Sequence, residues 1–210
     1  MSQRYAIYYV PQADSALAQF GEQWLNTQTA ITHNVRRYGF HATLKAPFVL
    51  QAHASLESLL AAVERLAASQ KAFVVPDLEV ARLGAFLALV LREPCPTLQR
   101  LAAQCVQSLD AFRAPLSAAD FAKRPDARLT PRQQVLRQAW GYPYVLDEFR
   151  FHMTLTDAVP DAEQRARYLA LAQAQWLDCA APPVWIDSLC LYTQATREAP
   201  FSLQQRFSLG

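Results

Sequence analysis

The sequence is short of charge, of paired cysteine and of metal-ligand strings. Only 18% of the 210 residues are charged and the formal net charge is +2. That balance argues against long disordered tails and against a protein that coats nucleic acid, and DNA is not expected as a partner. The four cysteines, Cys95, Cys105, Cys179 and Cys190, form no C-x-x-C and no zinc spacing, so free thiols in a cytoplasmic protein are expected. No H-x-H or H-E-x-x-H occurs, and no metal or other cofactor is expected. No apolar run approaches membrane-spanning length, and Met1–Val10 lacks the basic and apolar regions of a signal peptide, so no membrane partner is expected.

Against those absences stands a core-rich composition, 52% hydrophobic, in a length that suits one domain or two closely packed lobes. Two stretches dominate it: Phe40-His41-Ala42-Thr43-Leu44 and Phe151-His152-Met153-Thr154-Leu155. Each sits in an apolar segment with period-two alternation, the pattern of a half-buried strand. Phe40, Ala42, Leu44 and Ala46 point one way, and His41, Thr43 and Lys45 the other. Phe149, Phe151, Met153 and Leu155 share a face opposite Arg150, His152, Thr154 and Thr156. The chain has four histidines. Two of four carrying this signature by chance is on the order of one in several thousand. His33 and His53 lack it and are expected on the surface or in loops.

The rest of the chain predicts alternating elements. Arg4–Val10 is a strand stopped by Pro11, followed by a helix capped by Asp14 or Ser15 and running to about Leu25. A loop spans 26–37, and Ser55–Ala68 is the clearest amphipathic helix. Phe73–Ala81 and Ala85–Arg92 read as a hairpin around Gly84, and Thr97–Leu109 as a helix. Residues 110–145 form a basic insert containing Lys123, Arg124, Arg128, Arg132 and Arg137. Within it Thr130-Pro131-Arg132-Gln133 has the form of a capping box opening a helix over 131–140. A strand over 147–157, a helix from Asp161 to about Trp176, and strands over 184–193 and 201–207 complete an α+β chain with a rough internal repeat.

Paired His-x-Thr-Leu strands in a protein of this size resemble the two-histidine (2H) phosphoesterase superfamily, which includes RNA 2',3'-cyclic phosphodiesterases and 2'-5' RNA ligases. The longer strings Arg4-Tyr-Ala-Ile-Tyr-Tyr9, Tyr38-Gly-Phe-His-Ala-Thr-Leu-Lys-Ala-Pro-Phe48, Trp140-Gly-Tyr-Pro-Tyr144 and Phe149-Arg-Phe-His-Met-Thr-Leu-Thr156 are similar to a DUF1045-like bacterial branch associated with phosphonate metabolism. The resemblance implies one domain over residues 1–210. It would be a two-lobed, duplicated α+β fold with antiparallel sheets lining a central groove, helices outside and the histidines facing each other. It also implies a small phosphorylated substrate, a ribosyl cyclic phosphate among them, with RNA ends as the alternative.

Hydrolysis of a cyclic phosphodiester needs one group to deprotonate water and another to protonate the leaving oxygen, roughly in line across phosphorus. Imidazole suits both tasks, since its ordinary pKa of about 6.5 lies near working pH. His41 and His152 are therefore the candidate acid–base pair, and Thr43 and Thr154 the candidate hydroxyl donors to non-bridging oxygens. Lys45 and Arg150 share the motif faces and are candidate anion contacts or rim charges. Tyr38, Tyr142 and Tyr144 flank the motifs as candidate stacking residues or as packing. Arg124 or Arg128 could reach a phosphate from the insert, or belong to a solvated helix face. A non-catalytic phosphate- or RNA-binding protein is the rival from another class, disfavoured by two intact motifs.

Overall fold

In the computed structural model, described for residues 3–122, 128–179 and 183–210, a single antiparallel sheet runs through the molecule. Its strands in chain order are β1 (Arg4–Tyr9), β2 (Ala42–Phe48), β4 (Leu78–Leu83), β5 (Phe86–Leu91), β6 (His152–Thr154), β8 (Ser188–Gln194) and β9 (Ser202–Ser208). They lie side by side as β4-β5-β6-β2-β1-β8-β9. A separate two-stranded ribbon pairs β3 (Phe73–Val74) with β7 (Trp185–Ile186). The helices are α1 (Ala16–Thr27), α2 (Leu56–Ala68), α3 (Pro96–Ser108), α4 (Ala118–Ala122), α5 (Pro131–Trp140) and α6 (Ala162–Asp178). No helix among the described residues is long and apolar enough to cross a membrane.

The helices cover one face of the sheet. Tyr5, Ile7 and Tyr9 of β1, Leu44 of β2, Leu87 and Leu89 of β5 and Met153 of β6 meet Leu59 and Val63 of α2 and Leu98 and Leu101 of α3 in one core cluster. α1 supplies an apolar stripe of Leu17, Phe20, Trp24 and Leu25, and several helices begin at a side-chain cap. The Ser15 hydroxyl accepts from the Ala18 amide, and Asp161 accepts from Gln164. In α5 the predicted capping box is complete: Thr130 accepts from the Gln133 amide and the Gln133 side chain accepts from the Thr130 amide, with Gly141 at φ 76° ending the helix.

The other face carries Ala6 and Tyr8 of β1 with Phe201, and the histidine motifs belong to it. The two halves of the sheet, β4-β5-β6 and β2-β1-β8-β9, join at its middle through one residue pair, Ala42 opposite Met153. The strands bearing the two motifs are thus antiparallel neighbours at the seam.

Four expectations need correction here. The strand expected over 73–81 is two strands, because Pro76 has no amide to donate and the chain changes partner there. The strand over 184–193 breaks likewise at Asp187, its first part entering the ribbon and its second the main sheet. The strand over 147–157 shrinks to His152–Thr154, since Leu146–Glu148 forms a 3-10 turn with Leu146 at φ 54°. Thr156, expected on the histidine face, is buried instead, its hydroxyl accepting from the Leu87 amide.

Two contacts fix how the first motif enters the sheet. Gly21 in α1 leaves the space that the Phe40 ring occupies: a Cβ there would lie 2.0 Å from the ring. A mid-helix glycine costs about 1 kcal/mol of propensity, and the ring beside His41 is what sits against it. From the second half, the Asp157 carboxylate accepts from the amides of Asn34 and Val35, and the Trp24 indole donates to the Leu155 carbonyl at 2.8 Å. The segment preceding the first motif is therefore held by the one following the second.

Candidate active site

The register at the seam decides the geometry. With Ala42 opposite Met153, one residue further in each direction sets His41 across from Thr154 and Thr43 across from His152. The four side chains form a two-by-two array on one face, each histidine diagonal to the other. Diagonal neighbours on adjacent antiparallel strands have Cβ atoms about 7–8 Å apart or somewhat less. That leaves room for one tetrahedral phosphate between two hydrogen-bonding rings.

Both rings are held the same way. The Nδ1 of His41 lies 2.9 Å from the Gly39 carbonyl, and the Nδ1 of His152 lies 2.8 Å from the Arg150 carbonyl. A carbonyl only accepts, so each Nδ1–H donates, which leaves Nε2 as the ring atom available for proton exchange. Gly39 reaches its position with φ 72°, a left-handed conformation that suits glycine. The Thr43 hydroxyl lies 3.4 Å from the His41 Nε2. These orienting groups belong to the main chain, which the side-chain sequence does not display.

The surroundings of the two rings differ. Tyr8 stacks against His41 with centroids 4.0 Å apart, and Tyr38, stacked on Phe201, lies 6.2 Å from it. Burial pushes the His41 imidazole down to about 4; the Gly39 carbonyl opposes that shift, and the nearby His152 adds to it. His152 is flanked by Phe86, with centroids 6.0 Å apart, and lines an open recess of about 490 Å³ with Thr43, Arg150, Tyr142 and Tyr144. The Tyr8 hydroxyl is also raised by burial, so it is a neutral donor.

Among the flanking candidates, Tyr38 lies near His41, Tyr144 lines the recess at His152, and Tyr142 packs edge-on against Tyr144 at 5.6 Å. Arg150 is exposed at the rim, and its guanidinium has no partner among the described residues. Lys45 departs from expectation. The pairing of β1 on β2 slips between Tyr8 opposite Thr43 and Ile7 opposite Lys45, so Lys45 joins the face of Ile7 rather than that of Thr43. It is only 3% exposed, donates to the Val106 carbonyl at 2.9 Å and lies 3.5 Å from Asp110. His33 and His53 are exposed and apart from the array. Arg128 is exposed, while Arg124 lies outside the described residues. Among the described residues no three His, Cys, Asp or Glu side chains gather as a metal site requires.

Four residues were not singled out by the sequence reasoning: Tyr8, Phe86, Phe201 and Arg4. The signal for Tyr8 is the alternation of Arg4, Ala6 and Tyr8 along β1. Phe201 comes from the far end of the chain and carries no local signal.

The family model described as "Protein of unknown function (DUF1045)" matches residues 43–202. A curated relative from Janthinobacterium sp. (strain Marseille), named ribose 1,5-bisphosphate phosphokinase PhnN, is 39% identical over 97% of this chain and 50% of its own length. One of the same name from Laribacter hongkongensis (strain HLHK9) is 30% identical over 95% and 50%. The chain spans about half the length of these relatives. Among solved structures, that of Escherichia coli LigT complexed with 3'-AMP covers 100% of this chain and 99% of its own, at 14% identity and a TM-score of 0.52. That likeness is one of fold. The chain accordingly belongs to the DUF1045 family, on a fold of the 2H phosphoesterase type.

Proposed function

We propose that the chain is a metal-independent phosphoesterase that opens a cyclic or related phosphodiester of a small sugar phosphate or nucleotide. The observation that carries the reading is the diagonal placement of two histidines, each with Nδ1 donating to a carbonyl and Nε2 free to work. His41, held neutral by burial, takes a proton from the attacking water. The water oxygen bonds phosphorus as the ester bond opposite it breaks. His152 in its protonated form delivers a proton to the departing oxygen. The hydroxyls of Thr43 and Thr154 donate to the non-bridging oxygens as their charge rises.

The relatives' name supports a sugar over a long polymer. Ribose 1,5-bisphosphate is what results when a 1,2-cyclic phosphate of ribose 5-phosphate is opened at its O2–P bond. No G-x-x-x-x-G-K-[ST] phosphate-binding loop occurs in these 210 residues. A kinase using such a loop would have it in the relatives' other half. The second reading, opening of RNA 2',3'-cyclic ends, is favoured by the nucleotide bound to the LigT neighbour.

A panel of cyclic phosphates tests both readings, with ribose 1,2-cyclic phosphate, its 5-phosphate, nucleoside 2',3'-cyclic phosphates and a short RNA bearing a 2',3'-cyclic end. Turnover should survive EDTA and fall by about two to four powers of ten in His41→Ala and in His152→Ala. Near-normal turnover in both variants would end the proposal, and loss on chelation would end its metal-independent form.

A further inference from the structure

Beside the histidine array lies a second, smaller recess of about 60 Å³. On the scale where one water needs about 10–15 Å³, it holds several waters or one phosphate-sized group. It shares Ala46, Tyr142 and Val145 with the recess at His152, so the two adjoin. Ala46 is three residues along β2 from Thr43, about 10 Å at the rise of a strand.

The charges of this recess do not balance. Arg4, Lys45, Arg113 and Arg197 all line it. Lys45 and Arg113 share a single carboxylate, Asp110, which Arg113 grips with two bonds of 2.8 and 3.1 Å. Arg4 and Arg197 share another, Asp120: Arg197 pairs with it directly, while its charge acts on Arg4 from further away. The Arg4 guanidinium donates to the neutral Gln194 side chain at 2.8 Å and lies over the Phe201 ring. Among the described residues four cations thus face two carboxylates, and Arg4 and Arg197 repel each other in a partly desolvated place. A net charge of this sign is costly in a confined cavity and is relieved by a bound anion.

We infer that this recess is a second anion subsite, which takes a phosphate group carried by the substrate at a distance from the phosphorus that reacts. The inference rests on the proposed phosphoesterase reading and narrows it to cyclic phosphodiesters bearing a further phosphate. Arg4 and Arg197 supply the forked donors that suit phosphate oxygens, and Lys45 and Arg113 supply the positive wall behind them. The Phe201 ring under Arg4 also contacts Tyr38 and Tyr8, so the cation and the ring stacked on His41 belong to one connected surface.

Titration of the full chain with inorganic phosphate, followed by calorimetry, tests the subsite without chemistry. A phosphate site should persist in His41→Ala and His152→Ala and weaken about 10- to 100-fold in Arg4→Gln and in Arg197→Gln, the range for a lost charge-assisted bond. If Arg4→Gln does not fold, Arg197→Gln, in the turn between β8 and β9, decides by the same titration. In turnover, the preference of kcat/KM for adenosine 2',3'-cyclic phosphate with a 5'-phosphate over the same compound without it should fall in the arginine variants by the same factor. The ribose 1,2-cyclic pair should behave alike. Phosphate binding that is lost in the histidine variants, unchanged in both arginine variants, or missing from the wild type would overturn the subsite. If no cyclic phosphate is turned over, the phosphoesterase reading fails while the titration still judges the recess.

Discussion

If His41 is the base of the proposed phosphoesterase, its lowered pKa should give a pH profile unlike that of an ordinary histidine base. The imidazole lies against Tyr8, is desolvated, and faces a second imidazole, which together hold it at about 4. A general base with that pKa is about 90% neutral at pH 5, whereas one with an ordinary pKa of about 6.5 is about 3% neutral. Between pH 7 and pH 5, the share of kcat/KM set by the base should therefore fall by about a tenth rather than about 25-fold, while protonation of the proposed acid, His152, acts in the opposite direction. With a cyclic diester that lacks a further phosphate the limb belongs to the free chain, because the diester charge does not titrate in this range; a 5-phosphate, with its second pKa of about 6, would add a limb of its own. The assay is initial rate at low substrate from pH 3.5 to 8 in constant ionic strength, with stability followed in parallel so that unfolding is not taken for titration. Stability itself carries the same sign. A histidine held neutral in the fold takes up a proton on unfolding, so its contribution is present above about 6.5 and is lost as pH falls toward about 4. An acid limb near 6.5 that disappears only with His41 would refute the assignment of this ring as a buried base.

Three further outcomes follow from particular contacts. Thr43→Val and Thr154→Val keep the branched shape of a strand residue and remove a donor, so each should lower kcat by about 10²-fold with a smaller change in KM; steady-state kinetics decides. Gly21→Ala drives a methyl to within 2.0 Å of the Phe40 ring and should cost about 1–3 kcal/mol by overpacking. Calorimetry reads that as a lower Tm, and an unchanged Tm would mean that the ring is not seated on α1. Trp24→Phe removes the buried donor to the Leu155 carbonyl and should cost about 1–3 kcal/mol, visible as a lower urea midpoint.

Much of this architecture is legible in the chain itself, for physical reasons that differ by element. The capping box at Thr130 and Gln133 is local, so four residues suffice to place the start of α5. The two motif strands are legible because alternation and repetition coincide at His41 and His152. Lys45 shows where alternation fails: one slipped residue in β2 turns it to the face of Ile7, and nothing in the residues 43–48 announces the slip. The breaks at Pro76 and Asp187 divide apolar runs that read as single strands, because two sheets compete for them. Arg4, Arg197 and Phe201 meet from opposite ends of the chain, a contact that no window of sequence contains.

Duplication explains why two similar strands exist, but not how they could do different work. A symmetric pair of histidines would lose its protons in two steps that belong to the pair, with neither ring marked as acid or base. The two rings are alike in their carbonyl partners and unlike in their neighbours. One is pressed against Tyr8 and pushed down in pKa, and the other stands beside Phe86 at an open recess near an exposed arginine. Different surroundings around like groups are the ordinary means of separating an acid from a base. On that argument the proposed division of labour would be set by β1 and β5, the strands flanking the seam, rather than by the motifs. Tyr8→Phe combined with Phe86→Tyr should accordingly shift the pH profile more than Thr43→Ser or Thr154→Ser.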